Sequence, residues 1–134
     1  MSYLIDASAY WFLYKNPPIF ERWANVIHTG LVRTCEPTRV EILYSATGPR
    51  DRDKMAERLD ALFPLTPVPK KAWPWVETAQ YTLTQMGQHR SAGPVDLLLC
   101  ATAVQHGLMI LHVDNDFRTV SSVMTEVRQR DVRN

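Results

Sequence analysis

The sequence predicts an α/β domain in which a short parallel β-sheet is flanked by helices on both faces. Two apolar segments, Tyr3–Ile5 and Leu108–Val113, have the length of strands and are separated by segments with helical spacing of apolar residues. Between them, Val95–Val104 is apolar nearly all round, which is typical of a helix covered by other elements. Pro94 suits the first position of that helix, and Gly107 suits the left-handed position after its last turn.

Length and composition indicate one domain, residues 1–134, with enough chain to bury a core. Hydrophobic residues make up 46% of the chain and charged residues 22%, as in ordinary globular proteins. The formal net charge of +1 gives no global signal for nucleic acid, but the distribution of charge decides the local field. No apolar run is long enough for a transmembrane span, and the N-terminus lacks a signal-peptide pattern. Cys35 and Cys100 are too few for a disulfide scaffold, so we expect reduced core thiols in a cytoplasmic protein.

The remaining helices are expected from apolar spacing and from glycine and proline breaks. The helix that follows Pro37 is expected to turn Val40, Leu43 and Tyr44 toward the core. Glu41 lies on a polar stripe beside that face. Further helices are expected at Ala7–Tyr14 (with Ser8 as a cap), Ile19–Ile27, Asp51–Phe63 and Ala72–Met86.

The remaining strands are short. One is expected at Leu31–Val32, and a weak signal allows another within Leu65–Lys71. Near the end of the chain, Arg118–Ser122 is expected to form one helical turn and Thr125–Val127 an edge strand. Residues 128–134 are expected to be a flexible tail because they are charged and terminal.

Acidic residues occupy the ends of the buried elements. Asp6 follows the first strand, and Asp96 lies in the first turn of the apolar helix. Asp114 and Asp116 follow the strand at Leu108–Val113. In sheets of parallel strands, ligands bind outside the carboxyl ends of the strands. Taken singly, each acid has an ordinary explanation as a helix cap, a solvated residue, a partner of a helix dipole or a turn residue.

Taken together, the acids predict a cation site. Two like charges ~5 Å apart repel by roughly 3 kcal/mol at an effective dielectric constant of about 20. Converging carboxylates therefore need protons, basic partners or divalent cations. The four histidines are scattered, and none accompanies the acids at ligand spacing. Ligation by oxygen alone favours Mg²⁺ or Mn²⁺ over Zn²⁺ and suits attack of water on a phosphodiester.

Four segments carry a resemblance to a known family: YLIDASA, VEILYSA, GPVDLLLCATA and ILHVDNDF. They resemble the PIN-domain nucleases, and specifically the VapC toxins of bacterial toxin–antitoxin pairs, over nearly the whole chain from Tyr3 to about Val127. The resemblance implies a PIN-like three-layer domain and an endoribonuclease that depends on Mg²⁺ or Mn²⁺. It also implies an RNA substrate, a homodimer, and inhibition by a cognate VapB-like antitoxin.

The resemblance implies a role for each acid. Asp6 and Asp96 would be the main metal ligands, and Asp114 would complete the catalytic site. Glu41 would orient the attacking water or help to activate it. Asp116 would bind a second metal or hold the turn.

Two departures from the family pattern are visible. Ala7 stands where many members carry Thr or Ser, although Ser8 keeps a hydroxyl that could support a carboxylate or bind the phosphate. Gly93 and Pro94 before Asp96 are also atypical. Neither departure removes an acid, so both bear on substrate detail more than on activity.

Basic and aromatic side chains suggest binding surfaces. Arg90 and Arg118 flank the acidic segments and are candidates for contacts to RNA phosphates, with a solvated charged face as the alternative. The N-terminal region carries more aromatic residues than a small core obviously needs. They form either ordinary core packing or an apolar groove for an antitoxin helix, and they are Trp11, Phe12, Tyr14, Phe20 and Trp23.

Two other functions compete with the nuclease. A phosphoacceptor receiver domain also carries aspartates at strand ends, but it needs a lysine after a late strand, and Lys71 is the last lysine of the chain. A catalytically silent PIN-like module that binds RNA or protein is expected to have lost an acid, and this chain keeps all of them. The sequence does not indicate which RNA is cut or which antitoxin binds.

Overall fold

The structure, a computed structural model, describes the whole chain from Met1 to Asn134. None of its helices is both long and apolar enough to cross a lipid bilayer. Its elements in chain order are β1 (Tyr3–Ile5), α1 (Ala7–Lys15), α2 (Pro17–His28), β2 (Val32–Arg33), α3 (Glu36–Tyr44), α4 (Pro49–Leu62), α5 (Ala72–Gln85), α6 (Pro94–His106), β3 (Met109–His112), α7 (Asn115–Val123) and β4 (Arg128–Asp131).

The four strands form one parallel sheet in the order β2-β1-β3-β4. β3 and β4 pair along their full length, from Met109 opposite Arg128 to His112 opposite Asp131. β2 begins one residue later than expected, and within the segment 65–71 only a single bridge to β2's neighbour Thr34 forms. Because all strands run the same way, their carboxyl ends meet at one edge of the sheet.

Helices cover both faces of this sheet, as the sequence predicts. Successive side chains of a strand point to opposite faces. Leu4 and Ile110 accordingly belong to one buried core, whereas Ile5 and Leu111 belong to the other. Helices α5, α6 and α7 enclose the first core, and helices α1 to α4 enclose the second. The predicted three-layer α/β fold is confirmed.

The apolar helix α6 is buried, as expected. Its residues from Leu99 to Ala103 are all buried, which leaves no solvent face along this stretch. Gly107 ends the helix in the left-handed conformation with φ at 65°. Cys100 within α6 and Cys35 before α3 are both buried and free, and burial raises the pKa of each thiol.

The cap of α1 and the length of α7 differ from the expectation, and α2 and α4 each begin two residues earlier than expected. Asp6 caps α1 in place of Ser8, because its carboxylate accepts the backbone N–H of Ala9 at 2.8 Å. Helix α7 extends well beyond the expected single turn. Asp114 caps α7 by accepting the backbone N–H of Asp116 at 3.0 Å. Both aspartates therefore serve a helix start as well as lying at a strand end.

The C-terminal segment departs furthest from the expectation. Thr125–Val127 is not a strand, and the residues 128–134 expected to be a tail contain β4. Arginine side chains at this sheet edge remain in solvent while the backbone pairs with β3. Val132 is fully buried, and its carbonyl accepts the indole N–H of Trp23 at 2.9 Å. The charged sequence of β4 concealed a strand that backbone pairing and one apolar residue hold in place.

Helix α3 turns a different face to the core from the one expected. Ile42 and Leu43 are buried, whereas Val40 is exposed and Tyr44 is 92% exposed. The helix contacts α1, α4 and α6, and these three neighbours together fix its rotation. Glu41 consequently lies on the exposed side of α3.

Candidate active site

The carboxyl edge of the sheet gathers the predicted acids. β1 ends before Asp6 and the adjacent β3 ends shortly before Asp114. Asp96 lies in the first turn of α6, which contacts the helix that carries Glu41. The charges of Asp114, Asp116 and Glu41 all act on Asp96. Those of Asp96 and Asp114 act on Asp6, so the five predicted acids stand in one cluster.

Asp6 is the most enclosed member of this acidic cluster, with 7% of the residue exposed. Burial raises the pKa of its carboxyl to about 7, and the charges of Asp96 and Asp114 act in the same direction. Hydrogen bonds from Ala9 and Ser8 oppose the increase in pKa without cancelling it. A carboxyl group that lies near other carboxyl groups and is poorly hydrated is stabilised when it binds a proton or a cation.

Asp96 and Asp116 show the same effect in a more open setting. Burial is the main cause that raises the pKa of Asp96 to about 6, and the charges of Asp114, Asp116 and Glu41 add to it. The pKa of Asp116 is also raised, first by burial and then by the charge of Asp114. No basic side chain offsets these charges, because the ion pairs of the protein involve other acids. The acidic cluster therefore has no ion-pair partner within the chain.

Ser8 joins the two strand ends. Its hydroxyl lies 2.8 Å from each carboxylate oxygen of Asp6, to which it donates. The hydroxyl oxygen of Ser8 also accepts the backbone N–H of Val113 at 3.1 Å. A single hydroxyl thus fixes the orientation of Asp6 and holds the turn that precedes Asp114. This contact agrees with the supporting role predicted for Ser8.

His112 is a supporting residue that the sequence did not assign. It is almost fully buried, and its Nδ1 accepts the backbone N–H of Asp114 at 3.0 Å. Because a backbone N–H can only donate, Nδ1 carries no proton and Nε2–H donates to Gln129 Oε1 at 2.6 Å. Burial lowers the pKa of His112, which keeps the ring neutral. The position of His112 next to the acidic turn is the only signal in the sequence. Its hydrogen-bond partner Gln129 lies in the segment 128–134 that the sequence predicts to be a tail.

The neighbouring strand end carries a different carboxylate. Asp131 is buried at the end of β4, and Arg133 binds it through Nε at 2.9 Å and a terminal nitrogen at 2.6 Å. Arg118 on α7 approaches the same carboxylate at 4.0 Å. This predicted RNA contact therefore lies at the carboxyl edge, beside the acidic cluster. Arg90 is exposed in the loop before α6 and forms no ion pair.

The residues of the acidic cluster fit Mg²⁺ or Mn²⁺ by donor chemistry. All of them offer carboxylate oxygen, the donor that these ions prefer. The nearby Cys100 thiol is fully buried with a raised pKa, and both ring nitrogens of His112 are engaged in hydrogen bonds. No three acidic, histidine or cysteine side chains are placed close enough together to hold a metal ion by themselves. Mg²⁺ keeps several waters and is commonly bound through only one or two carboxylates. An open arrangement of carboxylates therefore suits this type of ion better than a structural zinc.

Comparison with other sequences matches the PIN domain family to residues 3–123. Ribonuclease VapC6 of Mycobacterium tuberculosis is 37% identical over 101 residues, which cover 75% of this chain and 80% of the relative. Ribonuclease VapC2 of the same organism is 35% identical over 133 residues, covering 96% of this chain and 91% of the relative. The match to the PIN domain family spans all four segments quoted in the sequence analysis.

Solved structures show the same fold. DNA-bound VapBC from Salmonella typhimurium superposes with a TM-score of 0.79 at 18% identity, covering 98% of each chain. FitAcB from Neisseria gonorrhoeae gives a TM-score of 0.73 at 17% identity and also covers 98% of each chain. Identities this low establish the fold alone, whereas the family match and the mycobacterial relatives establish the family of this chain. The chain belongs to the PIN-domain family, among its VapC ribonucleases.

Proposed function

We propose that this protein is an endoribonuclease that hydrolyses RNA phosphodiester bonds with Mg²⁺ or Mn²⁺ and acts as the toxin of a toxin–antitoxin pair. The observation that carries the proposal is the convergence of five carboxylates at one sheet edge without a basic partner. Such an arrangement is unfavourable in the isolated protein and becomes favourable when a divalent cation binds. The mycobacterial relatives named ribonuclease VapC support the same activity.

Each acid has a proposed task. Asp6, Asp96 and Asp114 would hold the cation, directly or through water, and Asp116 would add charge beside them. A divalent cation bound there would stabilise negative charge on the phosphate and lower the pKa of water. Glu41 is exposed at the rim of the cluster, where it orients the attacking water and accepts its proton.

The chemical step is hydrolysis. Water oxygen forms the new bond to phosphorus, and the bond from phosphorus to the leaving ribose oxygen breaks. Ser8 keeps Asp6 in one orientation during this step. Arg118 beside the cluster and Arg90 in the loop before α6 contact phosphates of the RNA strand.

An apolar groove formed by α1, α2 and α4 suits the antitoxin. It has a volume of about 420 Å³, and its lining is mostly hydrophobic. Tyr10 lines the groove, and its buried hydroxyl has no hydrogen-bond partner although the Arg58 guanidinium stands close to it. An amphipathic segment of a VapB-like antitoxin would fill the groove. A solved complex from Mycobacterium tuberculosis, VapBC-5, is described as a toxin–antitoxin system.

The proposal is tested by metal titration with an RNA substrate. Purified protein is expected to cleave RNA when Mg²⁺ or Mn²⁺ is added and to stop when a chelator is added. Light scattering on the same preparation tests the proposed homodimer. Binding of RNA without turnover in every metal would instead identify a catalytically silent module. Sequencing the 5′ ends of RNA fragments after induced expression identifies the RNA and the bond that is cut.

A further inference from the structure

A second cavity lies beside the acidic cluster and differs from the antitoxin groove. It has a volume of about 380 Å³ and is enclosed by α1, the end of α3 and the first part of α4. That volume lies within the range of small-ligand pockets, about 300 to 1,000 Å³. The groove described above is mainly apolar, whereas this cavity combines aromatic walls with charged and hydroxyl groups. The two cavities therefore suit different occupants.

The position of the cavity follows from helical spacing. Trp11 in its wall lies three residues after Ser8, which bonds Asp6, and Ser45 lies four residues after Glu41. Residues three or four apart share one face of a helix. The cavity is therefore about one helical turn, about 5.4 Å, from the acidic cluster along α1 and along α3. A nucleotide next to a phosphate bound at the cluster is therefore within reach of the cavity.

The chemistry of the cavity matches unpaired RNA. Trp11 and Tyr14 pack edge to face with ring centres 5.9 Å apart, and Tyr14 is 53% exposed. Arg58 lies over the Tyr14 ring, with its Cζ 4.8 Å from the ring centre. Lys54 is exposed and forms no ion pair, whereas the Asp51 carboxylate accepts the backbone N–H of Thr47 at 2.9 Å. Two cations thus face one occupied carboxylate next to aromatic rings, the combination that binds single strands.

We infer that this cavity is a subsite for one unpaired ribonucleotide adjacent to the scissile phosphate. The base packs against Trp11, and a flanking phosphate pairs with Lys54. The inference rests on the proposed nuclease function and adds a base-binding position to it, which a paired base can fill only after it leaves its stack at a cost of a few kcal/mol. Tyr14 and Arg58 line both cavities, so an antitoxin segment in the groove also narrows the nucleotide subsite.

The test compares cleavage kinetics of a short single-stranded RNA by three variants. Trp11→Leu is expected to raise KM by about tenfold while kcat stays within about twofold, since one stacked base contributes on the order of 1–3 kcal/mol. Lys54→Gln removes a phosphate contact and is also expected to raise KM, with kcat again within about twofold. Trp11→Phe retains an aromatic face and is expected to restore most of the loss in KM. Lys70→Gln, an exposed lysine in the loop before α5, is the matched control and should leave KM unchanged.

A binding measurement separates this inference from the proposed function. The Kd of a labelled single-stranded RNA is measured with Mg²⁺ in the Asp96→Asn background, so cleavage is not needed. Weaker binding with Trp11→Leu and Lys54→Gln, and a smaller salt dependence with Lys54→Gln, support the subsite. Unchanged KM and Kd in both variants would overturn it even if the parent protein cleaves RNA. Absence of cleavage by the parent protein would overturn the nuclease proposal, while the binding measurement still decides the subsite.

Discussion

Asp6 and Asp131 occupy equivalent places in the fold and have opposite electrostatic properties. Each is a buried aspartate directly at the carboxyl end of a strand in the same parallel sheet. Burial raises the pKa of Asp6 to about 7. Hydrogen bonds from Arg133 instead lower the pKa of Asp131 to about 2. Position at a strand end therefore does not define a cation site; the neighbouring side chains do.

The contrast indicates different tasks for the carboxyl ends of β1 and β4. Asp131 has its counter-charge within the chain, so it closes the end of β4 as a completed ion pair. Asp6 faces further carboxylates and has only hydrogen-bond donors, so a counter-charge must come from outside. His112 lies between the two and faces Asp131 across the β3–β4 pairing while its ring holds the turn of Asp114.

Replacing an acid from each group should give the largest difference. Asp96→Asn is expected to reduce metal-dependent RNA cleavage by about a thousandfold or more, which corresponds to about 4 kcal/mol of lost transition-state stabilisation. Asp131→Asn should reduce it less than about tenfold, because Asp131 holds arginines rather than the cation. Initial rates at saturating Mn²⁺ measure both effects, and circular dichroism confirms that both variants are folded. Equal losses in the two variants would remove the distinction.

Loss of the His112 hydrogen bonds should give the next largest effect. His112→Leu is expected to weaken Mn²⁺ binding by about tenfold, as residues that orient metal ligands commonly do. His112→Asn should recover most of that affinity, because its side-chain oxygen can accept the N–H of Asp114. Calorimetric titration with Mn²⁺ checks both variants. Ile110→Val, a buried change in the same strand, is the control and should leave the affinity unchanged.

The two aspartates should respond to pH in opposite directions. Between the ordinary Asp pKa of 3.8 and the folded value of about 7, the folded protein binds more protons at Asp6 than the unfolded chain does. Its contribution to stability is therefore lost as pH rises toward 7. Asp131 contributes stability above 3.8, and this is lost as pH falls toward 2.

Thermal melts without metal should consequently show lower stability at about pH 8 than at about pH 5. Asp6→Asn is expected to reduce the slope of this part of the profile, since an amide does not titrate, and Asp96 with its pKa of about 6 accounts for part of the remaining slope. Added Mn²⁺ should restore the stability of the parent protein at the higher pH. Asp131→Asn should leave the slope between those pH values unchanged. If the stability of the parent protein in chelator instead rose from about pH 5 to about pH 8, burial would not be destabilising the charged form of Asp6.

Ser8→Ala should have the smallest effect. The hydroxyl bridges Asp6 and the N–H of Val113, and one such hydrogen bond contributes about 1 kcal/mol. We expect kcat to fall about fivefold while Mn²⁺ still binds. Ser122→Ala removes a comparable exposed hydroxyl hydrogen bond on α7 and should not change kcat.

The sequence predicted those parts of the fold in which local pattern and packing agree. The burial of α6 followed from its apolar composition, and its end followed from Gly107, which adopts the left-handed conformation. The five acids were found because each follows a strand or lies on a helix that leads to the same sheet edge. Their convergence needed the parallel strand order, which the resemblance to the family also implied.

Features fixed by long-range contacts were missed. β4 has a charged sequence, and only pairing with β3 and the burial of Val132 identify it as a strand. Because the sequence predicts a flexible tail where β4 lies, it gives no reason to expect Gln129 as the partner of His112. The rotation of α3 depends on three neighbouring helices at once, so spacing alone misplaced its core face.

Calorimetric titration of the metal-free protein with Mn²⁺, beside Asp96→Asn and Asp131→Asn, decides whether the acidic cluster binds the cation. We expect the parent protein and Asp131→Asn to bind Mn²⁺ with similar affinity and Asp96→Asn to lose binding. Binding that survives in Asp96→Asn, or that disappears in Asp131→Asn, would contradict the assignment of the cation to the acidic cluster.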